Sequence, residues 1–286
     1  MFLVIVINLT AKTLNMKFRL FLLISLLLIT INCAVNPFTG KKTMAFVPDS
    51  KLIPMAYSQY DEVLSESEVL KDTEESEMIK RVGERIKLAA RKYLKYKGMD
   101  DYDANYDWEF NLIESEQINA WAMPGGKVAF YTGILSIAEN EDGVAAIMGH
   151  EIVHALANHG QQRMSAGLIQ QGAAVVGNVA LSEKEEQQQI FNVAFGVGSQ
   201  VFGMLPFSRK HETEADEQGL VLMILAGYDP EEAPKLWERM KTASNGQSPP
   251  EFLSTHPSHD TRIENLRNRI PTARAEAEKI GIINFN

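Results

Sequence analysis

The sequence predicts an α+β fold that is predominantly helical, with one small sheet, and three observations predict it. Apolar residues recur at helical spacing over residues 61–97, two short β-rich runs flank the turn residues Pro124, Gly125 and Gly126, and a buried-type apolar helix is expected over residues 141–158. With 286 residues and 45% hydrophobic content the chain can bury one sizeable core, so a single folded domain is expected over residues 58–271.

The elements are justified in chain order. Residues 16–31 carry Lys17 and Arg19 followed by an apolar run from Leu20 to Ile31, the pattern of an export leader too short to span a bilayer. Cys33 follows directly, the arrangement of a bacterial lipoprotein signal in which that cysteine takes the lipid, although Thr30 and Asn32 depart from the usual box. A cleaved secretory signal, or an uncleaved anchor with Cys33 incidental, is the alternative. Met16 is an alternative start to Met1. Residues 1–32 are thus assigned to a leader. Residues 33–57, with Pro37, Pro48 and Pro54 and no periodicity, are assigned to an extended tether.

One long helix is expected over 61–97, with Val82, Ile86, Ala89, Ala90 and Tyr93 on its buried stripe. Strands are expected at 108–113 and 120–131, the second interrupted by its proline and glycines. The helix over 141–158 has Asn140 or Asp142 as cap and Gly160 as stop. Residues 166–206 are rich in Gly and Ala, but Gln170, Gln171, Asn178, Asn192, Gln200 and the acids between 183 and 186 interrupt both apolar runs. Two helices outside the membrane are expected there. Ser208 caps a helix ending at Gly227, Asp229-Pro230-Glu231-Glu232 opens another, and Ser258 opens the last. Residues 272–286 are expected to form a tail.

The net charge of −9 becomes −12 once the leader is removed, because residues 1–32 hold three basic residues and no acid. Such a surface repels phosphate backbones, and nucleic acid is excluded as a partner. A single cysteine excludes an intrachain disulfide framework and a thiolate-rich metal site, so a metal must be held by histidines and carboxylates.

His150-Glu151-Ile152-Val153-His154 supplies such ligands. On a helix the two histidines lie one turn apart and about 40° around the axis, so both imidazoles reach one ion. Zinc suits them, and Glu151 falls beside the ion, where a carboxylate can take a proton from water and return it to a leaving amine. A catalytic zinc needs a third protein ligand and one open position. The positions three and six residues after His154 are Ala157 and Gly160, which excludes the class that draws its third ligand from a histidine there. His159 is one residue off and is expected to interact with the helix C-terminus. Glu212 and Asp216, four apart on an expected helix, are the better candidates: one carboxylate can bind zinc while the other accepts the free N–H of a ligating histidine.

With these residues in view, the chain resembles the BepA, LoiP and HtpX group of zinc metallopeptidases, related to the CAAX prenyl proteases. The resemblance covers roughly residues 74–270. It is carried by His150 to His154, by Glu212 and Asp216 after Leu205-Pro206-Phe207-Ser208-Arg209, by Asn119 to Gly126, and by Thr255-His256-Pro257-Ser258-His259-Asp260-Thr261-Arg262. It implies a zincin-like fold binding one zinc ion through His150, His154 and Glu212, with Glu151 as general base and Asp216 orienting a ligand. It also implies that His256 and Arg262 approach the zinc, stabilising the oxyanion or, for His256, reversibly blocking the open position. Residues 125–131, including Gly125, Gly126, Lys127, Val128 and Ala129, are expected to form the edge strand on which an extended substrate adds. The helical repeats of BepA and the membrane helices of HtpX are not expected here, so a short lipoprotein of the LoiP kind is the nearer comparison. The expected activity is proteolysis of misfolded or unassembled envelope proteins, in the bacterial periplasm and at a membrane through Cys33. The alternative is a chaperone-like assembly factor whose zinc is blocked by His256.

Overall fold

The computed structural model describes residues 33–45, 47–170, 208–243, 251–256 and 261–285. The leader, most of the Gly- and Ala-rich stretch, Ser258 and His259 lie outside the described residues. Two strands, β1 (Cys33–Val35) and β2 (Lys42–Met44), form an antiparallel hairpin. Helix α1 (Asp49–Glu66), the short strand β3 (Val69–Leu70) and helix α2 (Glu74–Tyr96) follow. Next come β4 (Glu109–Ile113), β5 (Ala120–Met123), β6 (Lys127–Tyr131), α3 (Thr132–Ala138), α4 (Glu141–Leu156) and α5 (His159–Gln170). The chain closes with α6 (Arg209–Leu225), α7 (Glu232–Ala243), α8 (Glu251–Thr255) and α9 (Arg262–Ile280). No helix among the described residues is long and apolar enough to cross a membrane.

The expected α+β, mainly helical architecture is present, with four corrections. The long helix expected over 61–97 is two helices, because the chain leaves α1 at Ser67 and restarts at Thr73. Thr73 Oγ1 accepts from Ser76 N and Ser76 Oγ accepts from Thr73 N, a reciprocal cap that defines a new N-terminus. Residues 33–57 are no extended tether. Leu52, Ala56, Tyr60 and Val63 recur at helical spacing and are buried on α1, and that burial outweighs the hydrogen bond lost at Pro54 inside the helix. Residues 272–286 are no tail, since α9 runs through Pro271 to Ile280, and Ile283 N donates to Leu225 O.

The fourth correction concerns the sheet. Its strand order is β3-β4-β6-β5, with β4 and β6 parallel and β5 and β6 antiparallel. The strand containing Lys127, Val128 and Ala129 is therefore interior, paired on both sides, and β5 is the edge. Val128 and Phe130 point into the main core, packed with α2 and α4, while Ala129 and Tyr131 point into a second cluster under α1. That double coverage explains why all five β6 residues are buried. Gly125 and Gly126 form the β5–β6 turn with φ of +85° and +90°, and a Cβ on them would strike Tyr57 and Trp108. They are turn residues covered by aromatic rings.

Helices α4 and α6 meet at Gly149 and Gly219, where a Cβ on Gly219 would lie 3.1 Å from His150 N and one on Gly149 3.0 Å from Gly219 O. The two backbones can approach only because both positions lack a side chain. Gly219→Ala is expected to cost about 1–3 kcal/mol in urea unfolding through overpacking, and to weaken metal uptake, since it parts the two helices next to His150.

Candidate metal centre

Helix α4 starts at Asn140, whose side chain accepts from Gly143 N at 2.8 Å, and every residue from Gly143 to Leu156 is buried. It is the central rod of the main core, and it carries His150, Glu151 and His154 where water is excluded. Ser208 caps α6 by accepting from His211 N, which sets Glu212 in the first turn, where the helix dipole favours a carboxylate. Helix α8 is tied to the loop before β5 by Phe252 N donating to Ile118 O, and Phe252 stacks on His256 with ring centroids 4.5 Å apart.

These elements bring four donors together. His154 Nε2 lies 3.0 Å from His150 Nε2, His256 Nδ1 lies 3.2 Å from His150 Nε2 and 3.1 Å from Glu212 Oε1, and Glu212 Oε1 lies 3.3 Å from His154 Nε2. His150, His154, Glu212 and His256 are all buried, with their donor atoms within 4.8 Å of one another, the one such group found among the described residues. Four ligands set tetrahedrally about 2.0–2.1 Å from one ion stand about 3.3 Å apart, so the donor set fits zinc in spacing and chemistry.

Electrostatics lead to the same requirement. Burial pushes the His150 imidazole down, but Glu212 and Asp216 outweigh it and raise the group to about 9. Burial holds His154 well below its ordinary value despite Glu212. Burial also opposes ionisation of Glu212, yet His256 and His150 keep its carboxyl well below the usual range. A buried carboxylate facing three imidazole rings is a donor set suited to a bound cation.

Glu151 stands beside this group, 2% exposed, with Oε1 3.4 Å from His256 Nε2. Burial raises its carboxyl above the ordinary value, partly offset by the His256 and His150 rings and by the Ala122 N–H. Glu151, His154 and His256 line a cleft whose opposite wall is Asn119 to Ala122, so the edge strand runs past the base. Tyr131 N donates to Asn119 O, and the antiparallel alternation turns the N–H and C=O of Ala120 and Ala122 away from β6.

Asp216 sits behind His150, with Oδ1 3.0 Å from His150 Nδ1, the place expected for an orienting carboxylate. Arg262 departs from expectation. Its Nη1 donates to Glu212 Oε2 at 3.0 Å, its Nη2 donates to Asp216 Oδ1 at 2.6 Å, and the guanidinium lies 3.3 Å from the Trp237 ring centroid. Two carboxylates and an indole hold it, so it clamps Glu212 and Asp216, and it is not among the residues lining the cleft beside Glu151.

His159 also departs from expectation, facing His154 and not the helix C-terminus. It is fully buried, with Nδ1 3.0 Å from His154 Nδ1. A residue five positions beyond His154 would lie about 140° away on a continuous helix, but Asn158 at φ +57° ends α4 and swings His159 back. The Asn-His-Gly stop signal marked the break without showing where the ring would go.

The fold and this donor set define a zincin-like metallopeptidase. The chain belongs to Peptidase family M48, which matches residues 78–270. It is 35% identical over 229 residues to the mitochondrial metalloendopeptidase OMA1 of Schizosaccharomyces pombe, covering 78% of this chain and 62% of that protein. To OMA1 of Saccharomyces cerevisiae it is 34% identical over 183 residues, 58% of this chain and 48% of the relative. To the beta-barrel assembly-enhancing protease of Escherichia coli K12 it is 32% identical over 168 residues, 57% and 34% of the two chains. The chain thus spans less than two thirds of the length of each of these relatives.

Proposed function

We propose that this chain is a zinc-dependent metalloendopeptidase that cleaves extended or misfolded polypeptides of the cell envelope. The observation that carries the reading is the joint burial of His150, His154 and Glu212 around one point, with the Glu151 carboxylate beside it and an edge strand alongside. Zinc, when bound, supplies Lewis acidity to the attacked carbonyl and acidifies water. Ala120 and the Ala122 carbonyl offer outward backbone groups to which a peptide adds as a further strand, fixing its scissile bond over the cleft. Glu151 takes a proton from water at its carboxylate and returns it to the leaving amine. Asp216 holds the His150 ring in register, and Arg262 ties Glu212 and Asp216 in place through its two hydrogen bonds.

His256 occupies the fourth corner of the donor set, so the resting enzyme is self-blocked and substrate must displace this ring. That placement also favours a second reading, an assembly factor that binds zinc and rarely cuts. An export leader followed by Cys33 supports a lipid-anchored protein acting outside the cytoplasm. The name of the Escherichia coli relative, which places that protein in β-barrel assembly, supports envelope proteins as substrates.

Metal content and cleavage of an unfolded protein separate the two readings. His256→Ala is expected to keep one zinc per chain and to raise cleavage several-fold. If both proteins hold zinc and neither cuts, the assembly-factor reading stands and the peptidase reading falls.

A further inference from the structure

Each imidazole of the His150–His154 pair presents Nε2 to the donor cluster and Nδ1 to the protein behind it. Behind His150 stands Asp216, a carboxylate. Behind His154 stands another histidine. A ring that offers Nε2 to a metal keeps its N–H on Nδ1, so His159 Nδ1, 3.0 Å from His154 Nδ1, is placed to accept from it. The His159 Nε2–H then points toward the Glu214 carboxylate, whose Oε2 stands 3.8 Å away, an electrostatic contact longer than a hydrogen bond. The Glu214 carboxylate is fixed in turn, because Asn36 Nδ2 donates to its Oε1. The Asn36 amide cannot flip without loss: its Oδ1 already accepts from Phe38 N at 2.9 Å and Thr39 N at 3.1 Å, and Phe38 is packed against Tyr93. From the other side His211 stacks on His159, 4.3 Å between ring centroids and 15° between planes.

We propose that His159 is a positioning residue for the metal site, holding the tautomer and tilt of His154 through a His154–His159–Glu214–Asn36 chain that ends in the N-terminal hairpin. This inference rests on zinc binding at His150, His154 and Glu212. Metal-ligating histidines depend on such partners, and their loss costs about 10–100-fold in affinity. The chain also joins three parts of the fold at one ring: α5 carries His159, α6 carries Glu214 and His211, and the β1–β2 hairpin carries Asn36. Residues only three positions beyond Cys33 thereby bear on the metal centre, so the hairpin is part of the site's support as well as a link to a membrane.

The test uses the full chain and measures zinc affinity by competition with a chromophoric chelator, alongside the unfolding midpoint of the metal-free protein. His159→Phe keeps the ring volume and the stack on His211 but accepts no hydrogen bond, and is expected to bind zinc about 10–100-fold more weakly. His159→Gln restores an acceptor and is expected to recover at least half of that loss on a logarithmic scale. Wild-type affinity in His159→Phe, or equal losses in the Phe and Gln variants, overturns the proposal, the second because packing rather than hydrogen bonding would then be at work. Should the Phe variant fail to fold, Glu214→Gln decides: it keeps shape and an acceptor for Asn36, and a loss of several-fold supports the relay while no loss overturns it. A wild-type chain that takes up no zinc would sink the metallopeptidase reading together with this one, whereas zinc uptake indifferent to residue 159 sinks this one alone.

Discussion

Glu151→Gln is expected to lower kcat/KM on an unfolded protein by about 100-fold or more, the range of a lost general base, while the protein still holds one zinc per chain. Glu151 is outside the group of four that can grip the ion, so its replacement leaves every ligand in place. Glutamine matches glutamate in shape and can still accept from the Ala122 N–H that faces the carboxylate. What it cannot do is carry a proton between water and the leaving amine. Burial already raises the Glu151 carboxyl, which brings its proton affinity nearer to the working pH and makes it a better base than an exposed glutamate. Because His256 stands 3.4 Å from Glu151 and fills the fourth corner, the measurement is best repeated in a His256→Ala background, where the block is removed. Residual activity within about threefold of the parent would remove Glu151 from the mechanism. Loss of zinc along with activity would show that the residue supports the site rather than the chemistry.

Arg262→Met is expected to destabilise the metal-free protein by about 3–5 kcal/mol, the usual cost of breaking a buried ion pair from one side. The guanidinium is 4% exposed and bridges Glu212 and Asp216, two carboxylates that stand close together beneath it. Removing it leaves both carboxylates without their shared cation, Glu212 buried and Asp216 only partly open to water. Methionine fills most of the volume and keeps contact with Trp237, so the loss reads charge rather than cavity. Arg262→Lys should recover only part of it, because an ammonium is a point charge that cannot fork across two carboxylates or lie flat on an indole. Urea unfolding in the presence of a chelator measures the effect. Zinc is expected to shrink it, since the ion takes over the charge of Glu212. A cost below about 1 kcal/mol without metal would mean that the two ion pairs of Arg262 contribute little to the fold.

Much of this site can be read along the chain because its chemistry is written at helical spacing. His150, Glu151 and His154 lie within one turn and a half of α4, and Glu212 and Asp216 one turn apart on α6, so local periodicity alone groups them into two sets. The strands at 109–113 and 120–131 and the starts of α4 and α6 carried equally local signals in caps, glycines and alternation. Errors arose where a short signal competed with long-range burial. Three prolines suggested an extended stretch before residue 58, yet α1 forms because Leu52, Ala56 and Tyr60 find the far face of the sheet. The family resemblance implies an edge strand after Gly126, but that strand is paired on both sides, and the rings of Tyr57 and Trp108 cover its turn.

From the residues alone came the His150–His154 pair, Glu151 beside it, the acidic helix that brings Glu212 to the cluster and the helical character of the domain, since each depends on neighbours three or four positions apart. Tertiary structure alone decided which strand lies at the edge, which way Arg262 faces and what stands behind His154. The first depends on how β6 pairs with both β4 and β5, the second on Arg262 meeting Asp216 and His150 across 46 and 112 residues, and the third on the turn at Asn158 that swings His159 back to His154. Periodicity carries no information over such separations. Only the close approach of α4 and α6 at Gly149 and Gly219, with the hairpin and α9 packed around them, brings these side chains together.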